Sequence, residues 1–223
     1  MVFEDAELDQ TVKELTRSAL NMASQICVAA ARFLIQDSIV QDLKTRITEA
    51  FRNVRTGPGS DPASQMGAVI DTANQQRLMR LIEQAADEGD LILTDGPLER
   101  GAFLTPTLFR IDDVRSALVQ EELFEPIVSV ETFGDEAEAV EKAKATHYGL
   151  AASVLSQNLS RATRWHARFA PAPSGRIRIS ASSPKARPVA SASRVWARST
   201  GPRGSTTSWR QSTSNTKPGW SDA

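Results

Sequence analysis

Residues 1–170 predict an α/β domain with a mostly parallel sheet and flanking helices, and three observations carry that reading. Some segments repeat apolar residues at helical spacing, others are short β-rich runs, and the two kinds alternate along the chain. The 223 residues are 40% apolar, enough to fill a core. After about Ala170 the periodicity stops, and residues 171–223 read as a disordered, basic, Ser/Arg/Pro-rich tail.

Each element has its own signal. Ile39, Leu43, Ile47 and Phe51 fall on one helical face, and Ser38 with Gln41 forms a capping box at its start. Thr56 to Pro62 is a loop, because Gly and Pro interrupt it repeatedly. A second helix is expected from about Thr72 to Glu88, burying Leu78, Leu81, Ile82 and Ala85, with Gly89 ending it. Leu91 to Leu93 and Phe103 to Phe109 read as strands, and Ile127 to Phe133 alternates like a half-buried strand. Asp135 caps a helix to about Thr146, Ala151 to Leu155 is a short buried strand, and Asn158 or Ser160 opens a last helix near Arg161.

Charge separates the two parts. The whole chain has a formal net charge of -1, yet the tail holds 9 basic residues and one acidic residue, Asp222. The body is therefore about −9 and the tail about +8. The tail also contains 12 Ser and no Leu, Phe or Met, a composition from which a packed domain is hard to build. The single cysteine, Cys27, excludes an internal disulfide, and with only His147 and His166 as further soft ligands no structural zinc site is expected. The acidic start MVFEDAELD is no signal peptide, and the apolar stretch Ile26 to Ile35 is broken by Arg32, well short of the ~20 residues needed to span a bilayer. These features make a cytoplasmic location, with no membrane partner, the expectation.

Five segments carry a resemblance. Val2-Phe3-Glu4-Asp5-Ala6-Glu7-Leu8-Asp9 opens the chain, followed by Ser24-Gln25-Ile26-Cys27 with Ala29-Ala30-Ala31-Arg32. Gly59-Ser60-Asp61-Pro62 with Met66-Gly67-Ala68-Val69-Ile70, Glu121-Glu122-Leu123-Phe124-Glu125-Pro126, and Tyr148-Gly149-Leu150-Ala151-Ala152 come next. In order and spacing they resemble the catalytic domain of the NAD(P)-dependent aldehyde dehydrogenase family. That resemblance covers nearly all of residues 1–164 and implies a piece of that domain.

The resemblance implies a chemistry: oxidation of a small-molecule aldehyde to a carboxylic acid, with NAD or NADP as acceptor. Cys27 corresponds to the family nucleophile, Glu122 to the glutamate that hydrogen-bonds a cofactor ribose, and Phe124 to the aromatic beside the nicotinamide. A thiolate is suited to this role because it adds to a carbonyl and leaves a thiohemiacetal able to expel hydride. The resemblance also implies a helix N-terminus at Cys27, whose dipole would favour the thiolate. Taken without the motif, a lone cysteine is more often a small core residue, and an acidic pair before an aromatic is more often a solvated helix end. His147 and His166 have no partner at catalytic spacing and read as surface residues.

The departures from the family pattern matter as much. The family's general-base glutamate, in a Glu-Leu-Gly-Gly-Lys motif, and its dinucleotide-binding domain have no counterpart in these 223 residues. Ser24 and Glu125 stand at family glycines, Ala68 at a proline and Lys144 at an asparagine. At the two glycine positions the side chains should crowd the backbone.

In the tail, degenerate codons read one nucleotide earlier let Pro171 to Gly175 encode Ala-Gly-Thr-Val-Trp. Val189 to Trp196 likewise permits Gly-Gly-Phe-Arg-Gln-Ser-Gly-Leu, and Gly204 to Trp209 permits Gly-Leu-Asn-Asp-Phe-Leu. These are the family's C-terminal motifs in order, so a frameshift between about Arg164 and Pro171 is the expected origin of the tail. Two binding readings stand beside it. One is a remnant that associates with intact dehydrogenase subunits, since the family oligomerises. The other is a basic arm with Trp196, Trp209 and Trp220 that binds nucleic acid.

Overall fold

Leu8–Leu20 (α1) places Thr11, Leu15 and Ala19 on one buried face, and the Glu7 carboxylate caps it by accepting from the Asp9 and Gln10 amides. In the computed structural model the described residues are 1–87, 89–158, 160, 161, 164, 165 and the backbone of 176–180, all within one unit, Met1–Ala192. After α1 come Arg32–Gln36 (β1), Val40–Arg52 (α2), Thr72–Ala85 (α3), Asp90–Leu93 (β2), Thr107–Arg110 (β3), Ala117–Gln120 (α4), Ile127–Phe133 (β4), Glu136–Lys144 (α5), Ala151–Leu155 (β5) and Arg176–Ser180 (β6).

The fold is mixed α/β with a mostly parallel sheet. Strand order is β1-β4-β3-β2, with β1/β4 and β3/β4 parallel and the edge strand β2 antiparallel to β3. Strands β5 and β6 form a second parallel pair. Val2 bridges both Ile35 of β1 and Leu155 of β5, so the first residues lie between the two sheets. The bridge is hydrogen-bonded on both sides: Val2 N–H donates to Leu34 O (2.8 Å) and Phe3 N–H to Leu155 O (3.1 Å). The Met1 α-amino group donates to Ser153 O at 2.8 Å, and burial with the nearby Arg32 charge lowers its pKa to about 5.

Alternation along the strands sends side chains to two cores. Phe33, Ile35, Leu108, Val128 and Val130 pack with Leu43, Ile47 and Phe51 of α2 and with Leu15 and Ala19 of α1. On the other face Phe109 and Ile127 meet Leu78, Ile82 and Ala85 of α3, while Leu34 and Phe133 meet Ala139 of α5, Phe3 and Trp165. Each fully buried large apolar side chain contributes roughly 1.5–3 kcal/mol of transfer energy, which is how helices of weak intrinsic stability are fixed in place.

Several expectations change. The Ser38–Gln41 capping box does not form: a short 3-10 turn, Asp37–Ile39, precedes α2, no side chain caps it, and Ser38 Oγ donates instead to the Glu4 carboxylate (3.0 Å). Helix α3 ends at Ala85, and Leu81 is half-buried. The Gly89 amide closes on Ala85 O (3.0 Å), and a Cβ there would lie 2.6 Å from the Arg110 carbonyl oxygen, so glycine allows the chain to pass against β3. Strand β4 is not half-buried; six of its seven residues are buried because it is central and covered on both faces. Strand β5 is exposed at Ala151 and buried at Val154 and Leu155.

Strand β6 lies beyond the residue-170 boundary, inside the stretch expected to be without structure. Its sequence alternates Arg and Ile, and the backbone register pairs Ala151 with Arg176 through Leu155 with Ser180. The other positions of 171–223, including Pro171 to Gly175 and the three tail tryptophans, lie outside the described residues. Among the described residues no helix is long and apolar enough to cross a membrane.

Candidate active site

Cys27 sits in an exposed turn between α1 and β1, not at a helix N-terminus. The chain leaves α1 through a 3-10 turn, Asn21–Ser24, in which Met22 (φ 54°), Ala23 (φ 53°) and Ser24 (φ 62°) are all left-handed. Each such residue costs about 1–2 kcal/mol, and the run turns the following segment toward β1 instead of into a new helix. The dipole argument for the thiolate therefore lapses. Ser24, at the position where the family has glycine, is one of the three, and its hydroxyl donates to Ala19 O.

The turn is held on three sides. Ala30 N–H donates to Ser18 O of α1 (3.0 Å), and Ser129 N–H of β4 donates to Ala31 O (3.0 Å). Gln25 Nε2 donates to Ala68 O (3.1 Å). Immediately after the turn, Arg32 Nε and a terminal nitrogen grip the two oxygens of Glu131 at 2.8 and 3.0 Å, and the guanidinium also donates to Lys142 O of α5. The Glu131 side chain is 4% exposed. Burial raises its pKa more than Arg32 lowers it.

Glu122 and Phe124 lie on the loop between α4 and β4. Glu122 is exposed; its amide donates to the Tyr148 hydroxyl (3.0 Å), and its carboxylate has no partner among the described residues. Phe124 is left-handed (φ 61°) with its side chain exposed. Thus the four non-glycine residues of positive φ among the described residues all flank Cys27 or Glu122. Local strain of this kind concentrates at functional sites.

Glu125, the second residue standing at a family glycine, is buried. Asn74 Nδ2 of α3 donates to one of its oxygens, while the other is buried without a hydrogen-bond partner among the described residues. Burial pushes its carboxyl above the ordinary range, against the pull of Asn74 and Arg77. The folded state thus favours the protonated form, so stability is fullest at low pH and falls as pH rises through the raised folded value. Urea melts across the acidic range are expected to show that fall as shallower in Glu125→Gln. Parallel profiles for the two proteins would contradict the assignment, since Glu131 is common to both.

No hydrogen bond or ring contact joins Cys27 directly to Glu122 or Phe124 among the described residues. The segment Ala68–Asn74 connects them, receiving Gln25 at one end and Glu125 at the other. Exposed large apolar residues lie on these same stretches: Met22, Val28, Ile70, Phe124, Tyr148 and Leu150. His147 is exposed and stacks on Tyr148 with ring centroids 4.0 Å apart, and His166 lies outside the described residues. Among the described residues no three His, Cys, Asp or Glu side chains converge as a metal site. Sequence reasoning missed Arg32–Glu131 and Asn74–Glu125 as supports, because partners 99 and 51 residues apart leave no local signal.

A mostly parallel α/β domain that carries an exposed thiol on a strained turn, and on a separate loop a free carboxylate and an aromatic ring, defines a class of thiol-bearing domain. The family model described as the aldehyde dehydrogenase family matches residues 1–189, and the chain belongs to that family. It is 35% identical over 169 residues to a succinate-semialdehyde dehydrogenase of Paenarthrobacter nicotinovorans, covering 74% of this chain and 37% of that protein. An aldehyde dehydrogenase of Monascus ruber is also 35% identical, over 170 residues, with 74% and 34% covered. Among solved structures, the betaine aldehyde dehydrogenase of Staphylococcus aureus in complex with NAD+ superposes with a TM-score of 0.74 at 29% identity, covering 80% of this chain and 36% of that one. The chain spans about a third of the length of the relatives it matches.

Proposed function

We propose that this chain is a catalytic-domain piece of an oxidoreductase that converts an aldehyde and NAD(P) to a carboxylic acid, and that these 223 residues alone do not turn over. The observation that carries the reading is the exposed Cys27 thiol on its strained, tethered turn, within a stretch that matches the family model. In the reaction the Cys27 thiolate adds to the carbonyl carbon, forming the C–S bond of a thiohemiacetal and placing negative charge on the former carbonyl oxygen. A bound nicotinamide would supply the hydride acceptor, and loss of hydride from the adduct carbon as its C=O reforms would leave Cys27 as a thioester. Hydrolysis of the thioester needs a base, and the family's base glutamate has no counterpart here.

The residues at hand fit part of the cofactor. The free Glu122 carboxylate suits a ribose hydroxyl, and the exposed Phe124 ring suits packing on a planar heterocycle. Among the described residues no glycine-rich turn leads from a strand into a helix N-terminus to hold a pyrophosphate.

The tail reading stands as part of the proposal: a body to about residue 170, then 171–223 from a displaced frame. The family match runs on to residue 189 and β6 pairs with β5, so that sheet position is filled whichever frame encodes it. Genomic DNA restoring the Gly-Gly-x-x-x-Ser-Gly loop in the adjacent frame would support the displacement, and its absence would remove it.

The functional test uses the purified chain. One equivalent of thiol is expected to react with a disulfide reagent in the native protein and none in Cys27→Ser, with no NAD(P)H formed from aliphatic or aromatic aldehydes. Cys27-dependent NAD(P)H formation would overturn the inactivity. A thiol reactive only after unfolding would overturn the site.

A further inference from the structure

One loop before α3 and another after β2 line an open cleft of about 560 Å³, none of whose lining residues belongs to the Cys27 or Glu122 segments. We propose that this cleft binds a small zwitterion, an α-amino acid with an apolar side chain. The inference goes beyond the dehydrogenase reading and does not depend on it.

Both loops are held by their own backbone, so the cleft is preformed. In the first, Gln65 N–H donates to Arg55 O (2.7 Å) and Gly57 N–H to Met66 O (3.0 Å). In the second, Leu98 N–H donates to Phe103 O (3.0 Å) and Thr105 N–H to Gly96 O (3.1 Å). Val69 N–H to Ala102 O (2.8 Å) ties the two together. A site assembled before binding does not spend affinity on ordering its loops.

The lining has unused capacity of both signs. The guanidinium groups of Arg55 and Arg100 make no ion pair or hydrogen bond among the described residues, and neither does the Glu99 carboxylate. Asp61 uses one oxygen for the Ala63 amide (2.9 Å) and keeps the other. Thr56 Oγ1 is buried without a hydrogen-bond partner among the described residues. A Cβ at Gly57 would come within 2.6 Å of Ser64 Oγ, so glycine keeps that second hydroxyl on the wall.

An anion alone would leave two carboxylates facing it, and a cation alone two guanidinium groups. A ligand carrying a carboxylate and an ammonium answers both, with the planar guanidinium forks taking the carboxylate. Leu98, 39% exposed, and the half-buried Phe103 supply the apolar wall that selects the side chain.

The test is isothermal titration of the full chain with L-phenylalanine, N-acetyl-L-phenylalanine and L-phenylalaninamide. The free amino acid is expected to bind saturably, and each capped form to bind about tenfold more weakly or worse. Arg100→Gln and Glu99→Gln, both at exposed positions where folding is not at risk, are expected to lose about tenfold for the free amino acid. No saturation by 10 mM (roughly the weakest affinity worth calling a site) would overturn the proposal. A capped form losing less than tenfold would do so too, since the cleft would then read one charge only. Unchanged affinity in both variants would place any binding elsewhere.

Discussion

Arg32→Met is expected to cost about 3–5 kcal/mol of folding stability, the largest loss from any single charge removal in this chain. The Arg32–Glu131 pair joins the start of the end strand β1 to β4, with the Glu131 side chain 4% exposed. Without the guanidinium a carboxylate is left buried with little to offset its desolvation. Lys142 is the nearest remaining cation, and its Nζ already engages Glu138 (2.8 Å) and Thr132 O (2.5 Å). Chemical denaturation measures the loss, and a cost below about 1 kcal/mol would show that the pair is solvated like a surface bridge.

The double variant Arg32→Met/Glu131→Leu separates charge from packing. Burial raises Glu131 more than Arg32 lowers it, so the attraction of Arg32 does not fully offset the desolvation of the carboxylate. Replacing both partners by apolar groups should therefore recover most of the single-variant loss. What it should not recover is the tether to Lys142 O, through which Arg32 holds the segment after Cys27 against α5.

How far the sequence carried this far depended on the kind of interaction. Helix α2 was readable because Leu43, Ile47 and Phe51 repeat on one face, and all three are buried. Strand β4 was readable in its bounds but not its depth: Ser129 and Glu131 look like a solvent face, while both are buried, Glu131 by an arginine 99 residues away. Helix α1 was passed over although Thr11, Leu15 and Ala19 carry its period, and β1 was missed because Phe33-Leu34-Ile35, buried on both faces, shows no alternation. At the site, the motifs marked Cys27, Glu122 and Phe124, but the left-handed run at Met22–Ser24 is a tertiary choice that side-chain pattern does not encode. Strand β6 was obscured for the opposite reason, since a Ser/Arg/Pro-rich background masked four residues of Arg/Ile alternation.

Trp165→Ala is expected to cost about 3–5 kcal/mol, or roughly 6–20 °C in Tm for a chain of this size. Trp165 is 0% exposed, and its ring meets Phe3 edge-on with centroids 5.7 Å apart, while Phe3 meets Phe133 at 5.2 Å. The Arg161 guanidinium lies 4.4 Å over the Phe3 ring and pairs with Asp5 (2.8 Å), so the helical residues around Arg161 are clamped to the segment Phe3–Asp5. Removing the indole opens a cavity at the junction of β1, β4 and α5, where the backbone of Val2 and Phe3 also joins the two sheets. Trp165→Phe should lose less, because the aromatic contact with Phe3 survives. A loss below about 1 kcal/mol in Trp165→Ala would mean that the region collapses to fill the space.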